Sequence, residues 1–339
     1  MVKTINRIHS RIGRWAAFFL PVAILFLSLK MSPNGSGRIT SDGAAKSVTK
    51  EGEDSAVVAN QNPSPMVEYV RAHKRIKRQE YPGIDFKLTG VLPKVVDVFV
   101  PERSLGSTHF DLLIHFHGAG YVVRYAATQF PRPLIAASVT LGEGSSVYGH
   151  AFRKSTEFST LVDSIDAEVR NRLNRPVKIR HIILSAWSAG YGAVRQILSV
   201  TRNYDRVYAV LLLDGIHASY IPEGRVLAEG GKIDSSELAV FLHLAQDASR
   251  RSSGKRFLIT HSEIFPGTFV STTEATHYIL EKLGMKEKAV LRWGPLGMQQ
   301  LGNARRNHFE IMGFAGNTAP DHVDHFEGLY YFLKRLMRL

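Results

Sequence analysis

From about residue 95 onward the chain alternates between two hydrophobic periods. Residues 95–100 and 110–115 are runs rich in β-branched and aromatic side chains, and residues 134–141 form a further apolar run. Phe158, Leu161, Val162, Ile165 and Val169 then recur at helical spacing, which predicts a helix over residues 158–173. The same reading places strands at 179–184, 207–213, 256–260 and 289–293. It places helices at 190–200, 236–250, 273–283 and 327–336. Near-continuous apolar strands alternating with amphipathic helices imply an α/β fold, a mostly parallel central sheet covered by helices on both faces. Only about 40 residues separate Asp214 from Arg256, room for one short helix and loops, so no large cap domain is expected.

The N-terminal part follows a different pattern. Lys3, Arg7, Arg11 and Arg14 precede an uncharged, largely apolar stretch at 15–29. As a helix it would reach roughly 22 Å, short of a hydrocarbon core of about 30 Å. Residues 1–31 therefore read as a signal peptide or, since no small-x-small cleavage site follows, an uncleaved membrane anchor. Export across, or attachment to, the inner membrane is the expected localisation. Residues 32–65, rich in Gly, Ser, Ala, Asn and Pro, read as a flexible linker, and 66–339 as the globular domain.

Charge changes this picture little. Of the formal +13, residues 1–80 supply +7, from 13 Lys/Arg against 6 Asp/Glu. No basic stripe interleaved with aromatics follows, which argues against a nucleic-acid partner. Arg71, Lys74, Arg75, Lys77 and Arg78 read as a solvated helix face or a membrane-proximal patch. The absence of cysteine excludes a disulfide framework, a Cys-containing zinc site and a thiol nucleophile.

Chemistry concentrates where an apolar strand runs without a loop through Ala186, Trp187, Ser188, Ala189 and Gly190 into a helix. A strand–turn–helix junction with small residues around a serine is the setting of a nucleophile elbow. The first small residue is alanine where the motif has glycine. The competing reading is a serine that caps an ordinary helix. About 70 residues earlier, Asp111-Leu-Leu-Ile-His-Phe-His-Gly-Ala-Gly120 is a strand ending in a glycine-bearing turn, through which backbone N–H groups can approach a substrate oxygen. Ala119 or Gly120 would supply one such donor and Ala189 the other. His115 and His117 lack a partnering carboxylate, so no metal is expected there. Tyr121, Tyr148, Trp187 and Tyr191 stand near these segments and would line a substrate pocket, core packing being the competing role.

Over roughly residues 90–339 these motifs resemble the α/β-hydrolase fold family. The HFHGA strand end and the segment Leu141-Gly-Glu-Gly-Ser-Ser-Val-Tyr148 are similar to those of exported bacterial hydrolases. The resemblance implies a triad in the order serine, acid, histidine, with Ser188 first. Asp214, at the end of an apolar strand, is the preferred acid, with Glu263 one strand later as the alternative and Glu274 third. His322 is the preferred base, ahead of His308 and His325. The implied activity is cleavage of a carboxylic ester through an acyl-enzyme, without a cofactor, on a small-molecule substrate. An amidase or peptidase of the same fold, and a non-catalytic membrane-tethered binding protein, are the alternatives.

Overall fold

The computed structural model describes residues 72–339. The expected signal or anchor segment at 1–31 and the linker at 32–65 lie outside the described residues. The strands are β1 (Gly83–Leu88), β2 (Val96–Pro101), β3 (His109–Phe116), β4 (Leu134–Val139), β5 (Lys178–Trp187), β6 (Val207–Leu213), β7 (Tyr220–Ile221), β8 (Lys232–Ile233), β9 (Arg256–His261), β10 (Lys288–Trp293), β11 (Gln299–Arg306) and β12 (Phe309–Phe314). Ten of them form one sheet in the order β1-β2-β4-β3-β5-β6-β9-β12-β11-β10, while β7 and β8 pair separately. The six central strands, β4 to β12, run parallel, and the margins on both sides are antiparallel.

The helices are α1 (Gly120–Gln129), α2 (Ser145–Ala151), α3 (Glu157–Leu173), α4 (Tyr191–Leu198), α5 (Thr201–Arg206), α6 (Ala239–Ala248), α7 (Thr272–Lys282), α8 (Ala319–Glu327) and α9 (Leu329–Leu336). Alternate strand residues feed two cores. Leu112, Ile114, Ile182, Leu184, Val210, Leu212, Phe257 and Ile259 pack with α3, α4, α6 and α7 on one face. Leu113, Ile183, Leu211, Leu213 and Leu258 pack with α1 and α9 on the other. Burial on both faces is why these strands read as continuous apolar runs. Each fully buried large aliphatic or aromatic side chain contributes about 1.5–3 kcal/mol of transfer free energy. The segment between β6 and β9 holds only the β7–β8 ribbon, α6 and short turns, so among the described residues no cap domain covers the sheet.

The structure departs from the sequence expectations in several places. β11, Gln299-Gln-Leu-Gly-Asn-Ala-Arg-Arg306, carries too few apolar residues to show, because it lies near the half-solvated antiparallel margin. The helix expected at 327–336 is the second of two helices that meet at Gly328. The first of them, α8, starts earlier, at a capping box between Thr318 and Asp321 with proline in the first turn. His322, expected in a loop ahead of a helix, therefore stands inside α8. Residues 72–80 form no helix. They run alongside α8, where Arg75 pairs with Asp324, His73 Nδ1 lies 2.8 Å from Asp324 Oδ2, and Ile76 N–H donates to Glu327 at 2.9 Å.

Candidate active site

The site lies at the carboxyl edge of the parallel strands, where the connection from β3 leads to β4 on one side and β5 pairs on the other. A crevice opens at such a reversal because the two connections diverge. Register places the key residues side by side. Phe116 pairs with Ala186, and Trp187 with Leu213, so Ser188 and Asp214 are the next residues beyond a paired row.

Ser188 opens a single 3-10 turn, Ser188–Gly190, between β5 and α4. Its φ is 47°, a left-handed conformation that costs a non-glycine residue roughly 1–2 kcal/mol. A helix-capping serine has an extended backbone, so this conformation favours the elbow reading over the cap. Two glycines permit the turn to pack. A Cβ on Gly190 would stand 2.2 Å from the Phe116 carbonyl oxygen, and one on Gly192 would stand 2.1 Å from that of Ser145. Ala186, in the position where the motif has glycine, is fully buried.

Asp214 also adopts a left-handed conformation, with φ 43°, and is buried. Its Oδ1 accepts the Ser262 N–H at 2.9 Å, and its Oδ2 accepts the Ser262 hydroxyl at 2.7 Å. Oδ2 also lies 2.7 Å from His322 Nδ1. Burial pushes the Asp214 carboxyl up, but the neighbouring His325 and the hydrogen bonds from His322 and Ser262 outweigh it and hold the group well below the usual carboxylate range. A Cβ on Gly215 would fall 2.5 Å from the Ser188 carbonyl oxygen, so the acid turn lies directly against the serine turn. The His322 carbonyl in turn accepts the Trp187 indole N–H at 3.0 Å, fastening the histidine to the residue before Ser188.

The turn after β3 is held by its carbonyls. His115, buried and neutral, sits with Nε2 2.8 Å from the His117 carbonyl and Nδ1 3.1 Å from Ser185 Oγ. Burial lowers its pKa to about 3. The Thr140 hydroxyl donates to the Gly118 carbonyl at 2.8 Å. His117 (φ 71°) and Gly118 (φ 120°) turn the chain, and Ala119 caps α1, whose first residue is Gly120. The N–H groups at the start of a helix lack intrahelical acceptors, so those near Ala119 and Gly120 are free to meet an oxyanion. His115 and His117 are thus spent on this turn. The His117 ring stacks on Trp187 at 5.1 Å, and its Nδ1 lies 2.8 Å from the Tyr148 hydroxyl.

The remaining expected residues separate clearly. Glu263 is exposed and accepts the Gly316 N–H, whereas Glu274 caps α7 and accepts the Tyr220 hydroxyl. His308 precedes β12, at the opposite edge of the sheet from Ser188. His325 is buried, with Nδ1 2.7 Å from Thr260 Oγ1 and its ring beside Phe314 and Phe332. Tyr148 and Tyr191 are buried core residues rather than walls of an open pocket. Tyr121 is half-buried and donates to Glu327, while Trp187 is half-buried between the His117, His322 and Phe326 rings. Sequence reasoning missed Ser262, which anchors the acid. It also missed His217, whose Nδ1 lies 3.0 Å from the Val270 carbonyl and whose ring packs on Tyr191 and Phe269. The available signal for Ser262 was the polar Thr-His-Ser end of the strand beside β6.

Among solved structures the fold resembles the enterobactin esterase FES from Shigella flexneri, at 11% identity over 77% of this chain and 60% of that one, TM-score 0.45. It also resembles an S-formylglutathione hydrolase from Agrobacterium tumefaciens (12% identity, 77% and 97% coverage, TM-score 0.44). A third likeness is Est1E from Butyrivibrio proteoclasticus (10%, 76% and 100%, 0.39). The chain spans about three fifths of the length of the enterobactin esterase. No protein-family model and no curated protein matches the sequence. The class defined by the sheet and its helices is the α/β-hydrolase fold, with no cap domain among the described residues.

Proposed function

We propose that the protein is a serine hydrolase that cleaves carboxylic esters through an acyl-enzyme, with Ser188 as nucleophile, His322 as base and Asp214 as orienting acid. The observation that carries this reading is the 2.7 Å contact between His322 and Asp214, beside a serine held in a left-handed turn. Asp214 accepts from Nδ1–H, which leaves the Nε2 lone pair free to take the Ser188 proton during attack. The same proton then passes to the departing alkoxide. N–H groups of Ala189 and of Ala119 or Gly120 stabilise the tetrahedral oxyanion, and water repeats the sequence to release the acid. Ester rather than amide chemistry is favoured because an alkoxide leaves more readily than an amine and asks less of proton delivery by His322.

A fluorophosphonate probe tests the reading directly. Labelling of Ser188 in the folded wild-type chain, lost in Ser188→Ala, is the expected result. Failure to label would leave a hydrolase fold without the chemistry. Hydrolysis of p-nitrophenyl esters of rising chain length would then define the acyl preference. We also propose an extracytoplasmic location, supported by the basic and apolar pattern of residues 1–31. Among the described residues no helix is long and apolar enough to cross a membrane.

A further inference from the structure

His217 stands beside the proposed nucleophile, and the mechanism gives it no task. Gly215 packs against the Ser188 backbone, and His217 follows two residues later on the same connection. Its Nδ1 lies 3.0 Å from the Val270 carbonyl, and its ring meets Tyr191 edge-on at 5.4 Å and Phe269 at 4.9 Å. The ring is therefore held from three sides. Its other nitrogen is held by nothing. Among the described residues no group hydrogen-bonds to His217 Nε2, and the half-buried ring leaves that atom open to solvent.

A backbone carbonyl only accepts, so Nδ1 carries the proton shared with Val270. Burial pushes the His217 pKa down, outweighing the Val270 bond and the Asp214 charge, and the ring is neutral at pH 7. Nε2 then presents a fixed lone pair, which attracts a hydroxyl or N–H and repels a carbonyl or carboxylate oxygen. The proton path decides which half of an ester reaches it. The departing alkoxide collects its proton from His322, so the alcohol half lies on that side of Ser188. His322 packs with Trp187 and its helix with Phe326, on the α1–α9 face of the sheet. His217 lies between Ile216 and Ala218, which pack with Tyr191 and Val270 on the opposite face. The acyl group, extending away from His322, is therefore the half that runs toward His217. Phe269, 41% exposed, gives its carbon skeleton an apolar surface beside the acceptor.

We propose that His217 is a specificity-determining residue whose Nε2 accepts a hydrogen bond from a hydroxyl or amide N–H on the acyl group. The enzyme then prefers esters of hydroxy or acylamino acids to those of plain aliphatic acids. This inference rests on Ser188 being the nucleophile. An acyl group without the donor places carbon against Nε2, taking away its water and returning no bond. One neutral hydrogen bond sets the preference at about three- to tenfold.

The test compares matched p-nitrophenyl esters on the full chain: lactate with isobutyrate, 3-hydroxybutyrate with isovalerate, and N-acetylglycinate with levulinate. Each pair exchanges a donor for a carbon group of similar size. Dividing kcat/KM by each ester's rate of alkaline hydrolysis removes the donor's intrinsic effect on the carbonyl. The wild type should favour the donor ester about three- to tenfold in at least one pair. His217→Phe should bring that ratio to about one, and His217→Gln, which keeps an acceptor, should restore part of it. Equal normalised values in all three wild-type pairs overturn the inference, as does a preference unchanged in folded His217→Phe. Turnover of p-nitrophenyl acetate with no cleavage of any donor ester overturns it too. The wild-type comparison stands even if His217→Phe does not fold. Fluorophosphonate labelling of wild-type Ser188 keeps the two readings apart. A labelled serine without donor preference removes the role of His217 alone, whereas an unlabelled serine removes the nucleophile on which that role rests.

Discussion

Asp214→Asn separates an orienting acid from a merely structural one, because the hydrogen bonds around it dictate which way the amide must face. The Ser262 N–H is a buried backbone donor that points at Oδ1 from 2.9 Å. It has no rotational freedom, so the asparagine must give it the carbonyl oxygen. The amide NH2 then occupies the place of Oδ2, which lies 2.7 Å from His322 Nδ1. Facing a donor, Nδ1 must accept, and the imidazole proton moves to Nε2. That tautomer cannot take the Ser188 proton. Turnover should fall about a thousand- to ten-thousand-fold. This corresponds to about 4–5.5 kcal/mol of transition-state stabilisation. The Ser262 hydroxyl can rotate to match the amide, so the fold should survive with little change in Tm. The assay pairs steady-state ester hydrolysis with circular dichroism on the same preparation. A folded Asp214→Asn protein retaining a tenth of wild-type turnover would refute the reasoning, as would an equal loss in Glu263→Gln.

Three further outcomes follow from the packing. His325 is buried, and burial lowers its pKa from 6.5 to about 4, so the folded state binds its proton less readily than the unfolded chain. Its contribution, roughly 3 kcal/mol, is present above pH 6.5 and lost as pH falls toward 4. Chemical denaturation across that range should show a shallower pH slope in His325→Phe. Gly190→Ala drives a Cβ into the Phe116 carbonyl. The elbow should shift, at a cost of about 1–3 kcal/mol in the denaturant midpoint and with slowed probe labelling. His308→Gln, at the far edge of the sheet, should leave ester turnover at the wild-type rate. A loss there in folded protein would contradict the assignment of the base to His322.

Much of the architecture was legible in the chain because the central strands are buried on both faces and so appear as unbroken apolar runs. The strand expected at 207–213 matches β6 residue for residue, because all of its side chains but that of Tyr208 are buried between two helical layers. The junction at Ser188 was legible for a local reason as well. A sharp strand-to-helix turn demands small residues within a few positions, and that demand is written contiguously. β11 was not legible, because a strand near a solvated margin has no need of apolar alternation. The start of α8 was missed because its signals are a cap and a proline rather than an apolar stripe.

Choosing the partners of Ser188 was a different problem. His322 and Asp214 are 108 residues apart, and no local pattern distinguishes His322 from His308 or His325. The fold carries Asp214 to the row of Ser188, puts His308 at the opposite edge and packs His325 in the core against Thr260, which supports the proposed choice. The sequence by itself thus determined the layered α/β architecture and the serine at its sharpest turn, because both depend on neighbouring residues. Only the tertiary structure brought His322 to within 2.7 Å of Asp214 beside the Ser188 turn, because that contact depends on which elements the sheet places side by side.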